Sequence, residues 1–159
     1  MLSYKDYVKA KKICHLDMQL FAISIYAMVV LVLLQGLFLI YKRLFPYSFL
    51  ELIILNKIFS MAYVMSSRGN TVFVFLLYAA FYTILIGFTV CGVCSVFAAK
   101  IRFPFYYYFP IAVYAADSIF CLVTGELAAF AAHIVLMLLA FFALRYQRLY
   151  FLIGSDLWG

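Results

Sequence analysis

Met18 through Ile40 carries no formally charged side chain. As an α-helix this run would be about 35 Å long, enough to cross a ~30 Å hydrocarbon core. Thr71–Ala99 is a second uncharged run; at about 43 Å of helix it has to tilt or project into the headgroups. Lipid offers the backbone no hydrogen-bond partners, so such runs cross it as helices that bond internally. Two of them in one short chain point to an all-α fold, a polytopic bundle of transmembrane helices. Four basic residues, Lys5, Lys9, Lys11 and Lys12, precede the first run and imitate a signal peptide. The run is too long for one and ends in Tyr41-Lys42-Arg43 with no small-residue cleavage site, so it is expected to stay as the first span.

Composition agrees. The 159 residues are 70% hydrophobic and 11% charged, where soluble domains carry about a quarter charged residues. A water-soluble chain of this size would leave much of that apolar surface wet. A single membrane domain over 1–159 is expected. Lys and Arg outnumber the acids by 12 to 6, but they sit at segment ends, where they meet lipid headgroups. No basic stripe lies along a polar helix face, so nucleic acid is not an expected partner. The lipid bilayer is.

Four spans are predicted near 18–41, 71–99, 104–123 and 127–145. Residues 1–17 are expected as a basic helix on the membrane surface. Between the first two spans, 48–65 holds Glu51, Asn56 and Lys57 in its middle. Each such charge costs about 2.5–3.5 kcal/mol at a helix centre. Its polar residues share no single face either, so it is expected as a surface or part-inserted helix, with a fifth span as the alternative. Pro104 suits a first helical turn and Pro110 a local kink. Tyr146, Tyr150 and Trp158 suit an aromatic belt, and Tyr106, Tyr107 and Tyr108 are expected to line the membrane interface.

With four spans, Lys5, Lys9, Lys11, Lys12, Lys100, Arg102, Arg145 and Arg148 lie on one side, eight in all, against Lys42, Arg43, Lys57 and Arg68 on the other. Five spans, leaving out Lys57, give five against six. The positive-inside rule therefore favours four spans, both termini cytoplasmic, in a plasma or inner membrane.

Ala79, Thr83, Gly87, Cys91, Ser95 and Ala99 recur at every fourth position. Small residues at this spacing let helix backbones approach in lipid. Thr83, Gly87, Cys91 and Ser95 are thus expected to pack on another helix, or at an interface in a homo-oligomer or larger membrane complex. Cys91 and Cys94 form a Cys-x-x-Cys pair, the pattern of thiol redox chemistry. The only other cysteines, Cys14 and Cys121, lie far apart in sequence, so the pair reads better as packing residues. Zinc requires more ligands than that motif supplies, and no metal or cofactor is expected.

Asp117 and His133 lie inside apolar runs, each eight residues from Gly125. The turn there joins antiparallel neighbours, which sets both at a depth of about 12 Å on adjacent helices. The stripes Val113, Tyr114, Asp117, Phe120, Cys121 and Ala129, Ala132, His133, Leu136, Ala140 are expected to face inward. Ionisable groups within a membrane often mark an ion or proton path. Asp117 and His133, with Gln35 and Tyr114 as neutral hydrogen-bonding companions, are therefore the candidate path residues. No phosphate loop, nucleophile elbow or His-Glu-x-x-His motif occurs, and no catalytic residue is assigned. The expectation is a small transporter, channel or membrane-complex subunit. The alternatives are a thiol–quinone redox enzyme built on Cys91 and Cys94, and a non-catalytic accessory protein.

Overall fold

The computed structural model describes residues 4–41 and 48–155. Lys42, Arg43, Pro46 and Trp158, used above for orientation, chain interruption and the aromatic belt, lie outside the described residues. Among the described residues five α-helices follow one another: α1 Tyr4–Ile40, α2 Ile53–Ser66, α3 Thr71–Val96, α4 Phe105–Thr124 and α5 Leu127–Ser155. A short 3₁₀ turn, Ser48–Leu50, precedes α2. Four of the helices, all but α2, are long and apolar enough to cross a membrane.

The first helix is continuous from Tyr4, so the basic segment extends the first span and is not a separate surface helix. Its 37 residues make about 55 Å, roughly 25 Å more than a hydrocarbon core requires. α5 likewise runs on past Arg145 to Ser155. The two extensions pack antiparallel: His15 meets the Tyr150 ring at 5.3 Å, and Phe21 stacks on Tyr146 at 5.7 Å. Tyr146 and Tyr150 thus take part in joining these two helices.

Met18, Ala22, Ile25, Val29, Val32 and Gly36 form the buried stripe of α1. The alternation of three- and four-residue steps keeps one seam facing the bundle. On α3 the buried residues are Phe81, Phe88, Cys91, Gly92 and Ser95. Large side chains fill the gaps over small ones. Phe109 of α4 covers Gly87, and Val29 of α1 covers Gly92, where an added Cβ would meet Val29 Cγ1 at 3.1 Å. Thr83 stands apart from its ridge: it is exposed, with its hydroxyl donating to the Ala79 carbonyl at 2.7 Å. Its α3 position points away from the neighbours that bury Cys91 and Ser95.

The α4–α5 turn is as short as expected. Gly125 takes φ 79°, a left-handed conformation in which a Cβ is strained. The Glu126 N–H donates to the Cys121 carbonyl at 2.9 Å and closes the α4 end. Tyr106 and Tyr107 differ from expectation. Both are fully buried, their ring centroids 4.8 Å apart, and only Tyr108 is exposed at the surface. Pro104 is the N-cap of α4, and the helix turns both rings inward toward the bundle.

Candidate functional site

The α2 helix is too short to cross, yet its first turn lies inside the bundle. Leu52 is extended and offers no side-chain cap, so the opening amides of α2 need partners from elsewhere. Gln35 on α1 supplies the first. Its Oε1 accepts from the Leu52 N–H, and its Nε2 donates to the Leu52 carbonyl, both at 2.9 Å. Asp117 on α4 supplies the others, its Oδ2 accepting from the Ile53 N–H at 3.0 Å and its Oδ1 from the Ile54 N–H at 2.6 Å. A carboxylate at a helix N-terminus also complements the helix dipole. The short helix α2 therefore has its first turn inside the bundle, held there by polar side chains of two of the long helices.

Asp117 and His133 do come together. Both are fully buried, and His133 Nδ1 stands 3.5 Å from Asp117 Oδ2. Between them on α4, one turn after Asp117, is Cys121. Its Sγ is 3.6 Å from His133 Nδ1 and 3.9 Å from Asp117 Oδ2. Tyr114, also buried, closes one side of the group with its ring edge-on to His133 at 4.9 Å. The backbone of Glu51 lies beside the imidazole, and Nε2 has no hydrogen-bond partner among the described residues. The inward stripe of α4 is narrower than expected, since Phe120 is 46% exposed and Ser118 is buried in its place.

A cavity of about 460 Å³ opens above this group on the Gly125 side. Its wall includes Glu51, Asn56 and Lys57 from the α2 region, and Thr124, Glu126 and Ala129 from the α4–α5 turn. Two carboxylates thus face one ammonium. Asn56 holds the Glu51 carboxylate through its Nδ2 and also accepts from Gln35 Nε2 at 2.9 Å. Ala129 is one turn from His133 and Thr124 one turn from Cys121. Ile53, another lining residue, donates its amide to Asp117.

Of the other predicted residues, Gly87, Cys91 and Ser95 lie on the packed side of α3, away from this site. Cys91 and Cys94 are free thiols, as are Cys14 and Cys121. The sequence reading missed Gln147. It is buried on α5 and donates to the carbonyls of Ala98 and Ile101, at 3.1 and 3.0 Å, and to the Tyr106 hydroxyl. It holds the connection between α3 and α4 as Gln35 holds the start of α2. Gln147 lies between Arg145 and Arg148, in what the sequence presents as the charged exit of the last span, so it carried none of the signal that singled out Gln35 in its uncharged run.

Four apolar spans around buried polar side chains define an α-helical integral membrane protein. No family model, no curated protein and no solved structure matches the chain.

Proposed function

We propose that the protein is a small cation transporter or channel subunit in which Asp117 and His133 form the cation-binding element. The observation that carries this reading is a buried carboxylate–imidazole pair whose Asp117 is hydrogen-bonded to Ile53, a residue that lines a cavity carrying Glu51, Lys57 and Glu126. Such pairs are costly in a membrane and commonly lie on ion pathways. Glu51 and Glu126 would raise the local cation concentration, and α2, held at its buried end by Gln35 and Asp117, would be the element that moves to admit the ion. Gln35 and Tyr114 then serve as positioning residues, Gln35 through α2 and Tyr114 through the His133 ring. The eight-to-four excess of basic residues supports cytoplasmic termini in a plasma or inner membrane, with the cavity on the opposite side. A second copy or a larger complex belongs to the same proposal. Most of α3 is exposed, and Ala79 and Thr83 leave a shallow face on which another helix can pack.

Flux into sealed proteoliposomes tests the reading with protons, alkali cations and divalent cations in turn. One of these should exceed the leak of empty vesicles, and Asp117→Asn and His133→Gln should each cut it at least tenfold. Wild-type vesicles no leakier than empty ones to every cation would overturn it.

One observation favours a second reading. Both Asp117 oxygens are already engaged by α2 amides, the arrangement of an accessory protein whose polar residues only fix helix packing. Absence of flux together with a large loss of stability in Asp117→Ala would select that reading.

A further inference from the structure

We infer that Asp117, Cys121 and His133 bind a divalent transition-metal ion of zinc type, in a site loaded from the Glu51–Glu126 cavity. The inference rests on the cation reading above and names the ion class for the same site. Three potential ligand atoms, one each from a carboxylate, a thiol and an imidazole, lie within 4.8 Å of one another. Their separations are 3.5, 3.6 and 3.9 Å. A good charge-assisted N–H···O bond is shorter, at about 2.7–2.9 Å. Tetrahedral zinc, with bonds of about 2.0–2.3 Å, sets its ligand atoms about 3.3–3.6 Å apart. The His133–Asp117 separation is thus long for a direct bond and close to that of two ligands on one ion, and the two sulfur separations leave the thiol within reach of the same ion.

Charge and ligand type narrow the ion. With Asp117 ionised and His133 neutral, binding displaces the Cys121 proton to solvent, and one thiolate plus one carboxylate cancels a 2+ charge. That neutrality matters for three side chains with no solvent exposure. A sodium or potassium ion gains little from sulfur and imidazole, and magnesium and calcium prefer oxygen donors, whereas zinc accepts all three ligand types. The surroundings also suit a metal. The Ile53 and Ile54 amides fix the carboxylate, leaving it further lone pairs, as outer-shell donors do. With the metal on Nδ1, the proton resides on Nε2. Three protein ligands leave the fourth position of a tetrahedral ion for an exogenous donor such as water.

The test uses the full-length protein in detergent micelles, with Co²⁺ as a spectroscopic stand-in for zinc. One Co²⁺ per chain should bind, with a thiolate charge-transfer band in the near ultraviolet and intense tetrahedral ligand-field bands in the visible. Cys121→Ser should abolish the charge-transfer band, and His133→Gln should weaken binding at least tenfold. Neither substitution removes the Asp117 cap on α2, so both variants are expected to fold. A variant with Cys14, Cys91 and Cys94 all changed to Ser should bind like wild type. Retention of the thiolate band in Cys121→Ser, or its loss in the triple variant, would overturn the site. So would no cobalt binding by folded wild-type protein. The proteoliposome measurement separates the two ideas. Alkali-cation or proton flux without cobalt binding sinks the metal site and leaves the cation reading intact. Stoichiometric cobalt binding with no flux of any ion upholds the site and sinks transport.

Discussion

Gly87 shows how little room single positions leave in this bundle. A Cβ placed there would meet Cε1 of Phe109 at 2.6 Å, and ring atoms cannot bend away as an aliphatic tip can. Gly87→Leu should therefore cost about 1–3 kcal/mol by overpacking. Thermal unfolding in detergent should show a clear drop in Tm, whereas an unchanged Tm would mean that α3 and α4 do not touch here. Asp117 makes a different kind of demand. Asp117→Ala orphans the Ile53 and Ile54 amides, each worth about 1–3 kcal/mol when left buried without a partner. Asp117→Asn keeps one acceptor oxygen and should fall between wild type and Asp117→Ala in the same melt. Equal Tm values for Asn and Ala would show that the caps contribute nothing.

Among the elements, α2 depends most on its neighbours, because its own sequence provides no cap at Leu52. Gln35 and Asp117 hold the same helix end from two spans, so releasing either should loosen what the other holds. The cost of Gln35→Leu with Asp117→Ala is accordingly expected to be smaller than the sum of the single costs. Hydrogen exchange at residues 52–54 reads the same event, and it should quicken in each single variant while α3 stays protected. Strict additivity would mean that the two caps act on independent structures. The α3–α4 connection poses the equivalent problem on the other side of the bundle. There Gln147 satisfies the Ala98 and Ile101 carbonyls, beside exposed Lys100 and Arg102. Gln147→Leu should open that connection and speed tryptic cleavage at Lys100 and Arg102. Cleavage at the wild-type rate would remove Gln147 from that role.

For the whole molecule, the order of spans sets Arg68 and Glu126 on one face and Lys100 and Arg148 on the other. Single cysteines at these positions, in a background without the native thiols, should react with an impermeant reagent in those two groups in sealed vesicles. Labelling of positions 68 and 100 from the same side would break the four-span arrangement. The same arrangement puts the Glu51–Glu126 cavity on the Arg68 face and the paired extensions of α1 and α5 on the Lys100 face.

The sequence alone determined the four apolar spans, the short turn at Gly125 and the shared depth of Asp117 and His133. Each follows from local quantities: run length against bilayer thickness, the αL preference of glycine, and the fixed rise of a helix. The inward placement of Asp117, His133 and Gln35 was also legible, because lipid penalises an unpaired carboxylate or amide inside an uncharged run. What they bond to was not. Asp117 caps a helix more than sixty residues away in sequence, and Gln147 reaches back to Ala98. The orientation of Thr83 and Phe120 likewise depended on how the helices rotate against one another. Cys91 and Cys94 alone had motif spacing, and spacing along a chain does not reveal a cluster assembled from separate helices. The Asp117–Cys121–His133 triangle is built from two helices and backed by the start of a third. Only the packing of α2, α4 and α5 brings it together, since the rotation of each helix about its axis is set by side chains meeting across the bundle.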